Sequence, residues 1–143
     1  MPELARTIAA RLREFIGNRR RARHFRVRLP LRVSLINQQP NLNGSRRSRS
    51  IDGHTLDIST TGLALIVPVI RIGEHYLVGE NRVLRIELEL PDGQVAMQAV
   101  SVRYERLEEE GTESGYLIGV SIAEMNEPDH DHYIEYVTQL LNK

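Results

Sequence analysis

Val83-Leu84-Arg85-Ile86-Glu87-Leu88-Glu89-Leu90 runs into Pro91-Asp92-Gly93 and returns through Val95 to Tyr104. Apolar side chains alternate with charged ones from Leu84 onward, which is the period of a strand with one face buried and the other in water. Pro-Asp-Gly is turn chemistry: Pro presets φ, Asp bonds to its own backbone, and Gly takes the dihedrals that other residues avoid. The two runs therefore predict an antiparallel hairpin.

The same period extends upstream. Gly62 to Val67 reads as a strand closed by Pro68, and His54 to Ser59 as the strand before it. Arg28 to Ile36 is a first strand in which Pro30 marks an edge or a bulge, since proline has no amide to give to a ladder. A polar stretch, roughly 37–52, reads as a long loop. Downstream, an acidic loop around Glu108-Glu109-Glu110-Gly111 precedes a last strand, Tyr116 to Ile122. His132 to Leu141 has helical spacing (Tyr133, Tyr136/Val137, Leu140/Leu141), with Pro128-Asp129 as its start. Short strands at close spacing predict a small antiparallel β-barrel that the final helix plugs or flanks.

Composition narrows the class. The 143 residues fit one domain, and there are no cysteines, which excludes disulfides and thiolate chemistry. No run of eighteen apolar residues suggests a transmembrane segment, and the N-terminus lacks a secretory pattern, so a cytoplasmic protein is expected. The formal net charge is zero, yet residues 1–50 hold 13 arginines against Glu3 and Glu14, a net of +11. Residues 51–143 hold 6 basic and 17 acidic groups, a net of −11. Such a split predicts an anion-binding segment on an acidic body. Lys143 is the only basic residue that is not arginine. Arginine's planar fork grips phosphate in pairs of bonds and stacks on rings, which a lysine point charge cannot do.

Residues 2–17 read as an amphipathic helix, with Leu4, Ile8, Leu12 and Phe15/Ile16 on one stripe and Arg6, Arg11 and Arg13 turned elsewhere. Residues 19–26 follow as a basic arm: Arg19-Arg20-Arg21-Ala22-Arg23, then His24-Phe25-Arg26. About thirty residues later stands Asp57-Ile58-Ser59-Thr60-Thr61-Gly62. An ionised Asp57 offers acceptors to the amide-like edge of a purine. Ser59 can bridge, and Gly62 lets a backbone come close or take a positive φ. Asp57 and Ser59 are two apart, so strand alternation would aim both the same way. The plainer reading makes Asp57 and Ser59 turn formers and Gly62 a turn residue.

Arg19-x-x-x-Arg23 followed by Asp57-x-Ser59-x-x-Gly62 resembles the signature of the PilZ domain family, receptors for cyclic di-GMP. Arg28-Leu29-Pro30-Leu31-Arg32-Val33 and Gly115-Tyr116-Leu117-Ile118-Gly119-Val120 strengthen the likeness. The resemblance implies a six-stranded antiparallel PilZ-like β-barrel with a C-terminal helix over residues 19–143. The helix of residues 1–18 is an addition. It implies a non-enzymatic receptor with no catalytic residue, metal or cofactor. Its ligand site would comprise Arg19, Arg20, Arg23, Asp57, Ser59 and Gly62. Counting back from Leu29-Pro30, Arg23 sits about one residue early for the family pattern and His24 falls nearer the position, leaving Arg20 or Arg21 as the first arginine and Arg26 as the second. A downstream protein partner is implied without being identified. Two alternatives stand beside this one: a nucleic-acid-binding barrel, which an aromatic content of 5% argues against, and a protein-docking module of the same fold that binds no ligand.

Asp129-His130-Asp131-His132 resembles a metal cluster in composition only. Its members are adjacent rather than spaced for one helical face, and acidic residues suit the positive end of a helix.

Overall fold

A computed structural model describes residues 23–36, 50–79, 82–107 and 115–142. The helix expected over 2–17, most of the 37–52 loop and the acidic loop at 108–111 lie outside the described residues, as do Arg19 and Arg20. Nine strands are described: β1 (Phe25–Arg26), β2 (Pro30–Leu35), β3 (Ser50–Ile58), β4 (Gly62–Val67), β5 (Arg71–Ile72), β6 (His75–Tyr76), β7 (Val83–Leu90), β8 (Gly93–Leu107) and β9 (Gly115–Glu124). One helix, α1 (Glu127–Leu141), follows them.

Strands β3, β2, β7, β8, β9 and β4 pair in that order, and β4 returns to β3, so six antiparallel strands close on themselves. Closure removes the unpaired edges that an open sheet would present. The expected hairpin is present: Leu90 opposes Gly93, and Val83 opposes Val100. Its alternation sends Leu84, Ile86 and Leu88 into the core beside Val33, Leu65, Ile118 and Met97. Tyr133 and Val137 of α1 join the same core, so the helix packs on the barrel with its apolar stripe.

The elements differ from expectation where local pattern is weak. β3 begins at Ser50, inside the stretch read as a loop, because Ile51 opposes Val33 and Asp52 pairs with Arg32 on β2 (Nε–Oδ1 3.2 Å). β8 and β9 overrun their expected ends, and β5–β6 was not foreseen. Pro30 does not mark an edge: β2 lies between β3 and β7, and Pro30 is its first residue, opposite His54. Just ahead of it one extra residue is accommodated between the Arg26↔Asp57 and Pro30↔His54 pairs, a bulge.

Helix α1 starts at Glu127, beside the expected Pro128-Asp129, and its first turn is well capped. Asn126 Oδ1 accepts from the Asp129 amide (2.9 Å), and Pro128 occupies the first turn. Asp129 Oδ2 accepts from the Ala96 amide (3.0 Å), and His132 Nε2 meets Asp92 Oδ1 (2.7 Å) on the β7–β8 turn. The acidic-histidine run is thus used as clips, and the described residues contain no group of three or more metal-ligating side chains.

Candidate functional site

The segment Asp57 to Gly62 divides at Ile58, where β3 ends. Beyond it the chain makes a tight turn into β4, and Ser59 holds that turn. Ser59 Oγ accepts from the amides of Thr61 (3.2 Å) and Gly62 (3.1 Å) and donates to the Gly62 carbonyl (3.1 Å). The Ser59 amide also donates to that carbonyl (2.9 Å). The Ser59 carbonyl accepts from the Tyr133 hydroxyl (2.6 Å). Every polar atom of Ser59 is therefore engaged, and the residue is fully buried. Because β3 stops at Ile58, alternation fails one residue later: Ser59 turns inward and does not share a face with Asp57.

Gly62 is explained by proximity. A Cβ there would strike the carbonyl oxygen of Val120 on β9, where Gly62 pairs with Ser121. The positive-φ glycines among the described residues are Gly73, Gly79 and Gly93, so Gly62 serves close approach rather than left-handed geometry.

Asp57 points the other way, to the outside of the barrel. β1 lies against it, with Arg26 directly opposite Asp57 and Phe25 opposite the buried Ile58. Two positions before Arg26, His24 brings Nδ1 to 3.5 Å from Asp57 Oδ1. Both atoms are buried from solvent and neither has a hydrogen-bond partner. Arg23 and Arg26 flank the pair and are exposed. Across the ladder Asp57 opposes Ala64, which opposes Gly119, so the ground beside the carboxylate is flat. A carboxylate with an unmet acceptor, a ring nitrogen and nearby guanidinium forks can together meet a ligand carrying paired N–H donors and anionic oxygens.

Thr55 holds β1 in place. Its hydroxyl donates to the Val27 carbonyl (2.5 Å) and accepts from the Leu29 amide (2.8 Å), filling the bulge that separates β1 from β2. Tyr133 supports the other side. Burial, with a smaller contribution from the Asp57 charge, pushes its phenol well above the ordinary range, so it stays a donor to Ser59. Neither residue was signalled as part of the site by the sequence. Nor was His24, which counting back from Leu29-Pro30 placed only near the position expected of an arginine.

Comparison with known proteins bears on the family and the fold. The family model for the PilZ domain matches residues 18–139. The chain belongs to the PilZ family. No curated protein matches it. Among solved structures it is similar to the PilZ domain of Escherichia coli YcgR, solved with c-di-GMP (12% identity, TM-score 0.59, covering 87% of this chain and 92% of that one). It is similar also to K. pneumonia MrkH in complex with c-di-GMP (19%, 0.59, 85% and 51%) and to the Bacillus subtilis inhibitor of motility MotI/DgrA (20%, 0.54, 86% and 52%). The PilZ chain thus spans about half the length of MrkH and MotI. Among the described residues no helix is long and apolar enough to cross a membrane.

Proposed function

We propose that this PilZ domain is a non-enzymatic receptor for cyclic di-GMP, bound on the outer face of the β1–β3 ribbon. The observation that carries the reading is the unsatisfied pair at the motif carboxylate: Asp57 Oδ1 and His24 Nδ1, both shielded from water and both without a hydrogen-bond partner. An unmet buried acceptor costs about 1–3 kcal/mol, which a ligand donor would recover. Guanine offers adjacent N–H donors on one edge, suited to a carboxylate, and the two phosphates suit Arg19, Arg20 and Arg23. That relatives have been solved with the same ligand supports the assignment.

In this reading the site residues divide their work. Arg19, Arg20 and Arg23 engage phosphate and the guanine face, Asp57 holds the guanine edge, and Ser59 and Gly62 shape the turn that presents Asp57. Arginines crowded at 19–21 and 23 repel one another, and a ligand with two negative charges placed among them removes that repulsion. Ligand binding would therefore reposition the arm relative to the barrel and transmit the signal to a protein partner.

Calorimetric titration of cyclic di-GMP tests this, using the parent chain and the Arg23→Ala and Asp57→Ala variants at physiological salt. Saturable binding in the parent with more than tenfold loss in each variant is the expected result, since a charge-assisted contact contributes about 1.5–3 kcal/mol. No heat from a folded parent would reject it. Binding to duplex DNA with a steep salt dependence, and none to the dinucleotide, would move the nucleic-acid reading to the front.

A further inference from the structure

His132, His54 and His24 each bring a ring nitrogen up to an oxygen, and His24 stands off. His132 Nε2 lies 2.7 Å from Asp92 Oδ1, and His54 Nδ1 lies 3.1 Å from the Thr55 carbonyl oxygen, both ordinary bond lengths. His24 Nδ1 lies 3.5 Å from Asp57 Oδ1 and makes no hydrogen bond, although both atoms are shielded from water. A protonated nitrogen facing a carboxylate closes to about 2.7–2.9 Å, because that bond is charge-assisted. The longer separation is that of two acceptors: a carboxylate oxygen, and the bare nitrogen of a neutral imidazole whose proton sits on Nε2. Neither can supply the donor that the other lacks.

We infer that His24 is a ligand-binding residue that sets specificity: Asp57 Oδ1 accepts N1–H of a guanine while His24 Nδ1 accepts from its exocyclic amino group. The inference rests on the receptor reading above and adds the residue that reads the amino group. Guanine carries these two donors next to each other on one edge. Hypoxanthine keeps N1–H but has no amino group, and adenine has an acceptor at N1. A paired-acceptor site would therefore be left with an unmet nitrogen by hypoxanthine and would face a lone pair in adenine, and unmet buried partners are what make such sites selective. The fold fixes the pair and leaves it reachable. β1 sets its register, with Phe25 opposite the buried Ile58 and Arg26 opposite Asp57, and this brings His24 to the carboxylate. Shielding is local to the two facing atoms, since the side chains of His24 and Asp57 keep 25% and 17% of their exposure. Across the ladder, Ala64 and Gly119 raise no wall beside them. Arg23 and Arg26 are exposed nearby and suit phosphate, which leaves the base edge to His24 and Asp57.

Calorimetric titration of the whole chain at pH 8, where an imidazole is neutral, tests this with cyclic di-GMP and with cyclic di-IMP, its analogue without amino groups. The parent is expected to prefer cyclic di-GMP at least tenfold. His24→Phe keeps a planar ring and removes the acceptor. Its affinity for cyclic di-GMP should fall at least tenfold while that for cyclic di-IMP stays within threefold, so the preference is erased. A residue that only supported the fold would weaken both ligands alike. His24→Ala is the second variant should the phenyl ring crowd the site, with the same erasure expected. A His24→Phe chain that keeps the parent's preference overturns the inference and leaves the receptor reading standing. A folded parent that gives no heat with either dinucleotide overturns both. The free chain offers a test without ligand: its ¹⁵N spectrum at pH 8, with His24 assigned by the peaks that His24→Phe removes, should show Nδ1 unprotonated. A protonated Nδ1 would mean that the nitrogen is a donor to Asp57, and that too would overturn the inference.

Discussion

Asp57 and Ser59 stand two residues apart in one motif and have opposite hydrogen-bond states. Ser59 spends its amide, hydroxyl and carbonyl inside the fold, on Thr61, Gly62 and Tyr133. Asp57 keeps a shielded oxygen unmet beside an unmet imidazole nitrogen. Ordinary folding satisfies buried polar groups, so an unsatisfied pair marks a place where the fold leaves bonding capacity for something else. The contrast divides the signature physically: one half builds the turn, and the other half is presented by it.

The largest effect expected on the turn half is at Tyr133, which fills the core and anchors the Ser59 carbonyl. Tyr133→Ala should lower unfolding free energy by about 3–5 kcal/mol in denaturant titration. Whatever fraction remains folded should keep Asp57 available to ligand. Should Tyr133→Ala leave stability unchanged, the turn is held by something other than this contact, and the division loses its support.

On the presented half the sign pattern reverses. Asp57→Ala should weaken cyclic di-GMP binding by more than tenfold, about 1.5–3 kcal/mol, while chemical denaturation shifts by no more than about 0.5 kcal/mol. The variant removes an oxygen that has no hydrogen-bond partner in the free protein and only the 3.5 Å contact with His24, so folding has little to lose. Ser59→Ala should do the converse, costing about 1–3 kcal/mol of stability through the amides it orphans while the folded fraction binds within a few-fold of the parent. If Ser59→Ala abolishes binding in a chain that remains folded, serine contacts the ligand directly and the division is wrong.

These two halves were not equally legible. The β7–β8 hairpin could be read because alternation and Pro-Asp-Gly agree over a continuous stretch, and the signature was visible as spacing. Counting back from Leu29-Pro30 put His24 near an arginine position, but its place beside Asp57 depends on the β1–β3 pairing and was not read. The burial of Ser59 could not, because it depends on β3 ending at Ile58, one residue before alternation would have turned the side chain outward. Tyr133 reaches Ser59 across 74 residues, and no local pattern records such a bond. Thr55 looks like any β-branched strand residue until the bulge at 27–29 gives its hydroxyl two backbone partners. The start of β3 was hidden because Ser50 and Asp52 belong by composition to the polar loop, and only their register with β2 makes them strand.

Titration distinguishes two of the attachments of α1 more finely. Burial holds the Tyr133 phenol above its ordinary value of 10.0, so the unfolded chain loses that proton first as pH rises. A raised folded value means stability that is complete below pH 10 and declines above it. Denaturation at rising alkaline pH should show this decline, and Tyr133→Phe should remove its share of the slope while costing about 1–3 kcal/mol at neutral pH. A slope identical in parent and Tyr133→Phe would mean that other tyrosines carry it.

The smallest effect belongs to the other attachment, at the β7–β8 turn. There the hydrogen bond from His132 lowers Asp92 below its ordinary 3.8, in a position open to solvent. A depressed folded value has the opposite sign: its contribution is present above the ordinary value and is lost as pH falls through the folded one. Asp92→Asn should therefore flatten the acid limb of the stability curve slightly and leave the alkaline limb untouched. Added salt should shrink the difference further, because an exposed pair is screened. The buried Tyr133–Ser59 bond should be indifferent to salt. If salt affects both attachments alike, then Tyr133 is not shielded as its burial implies, and the turn half of the motif is less closed than the comparison with Asp57 requires.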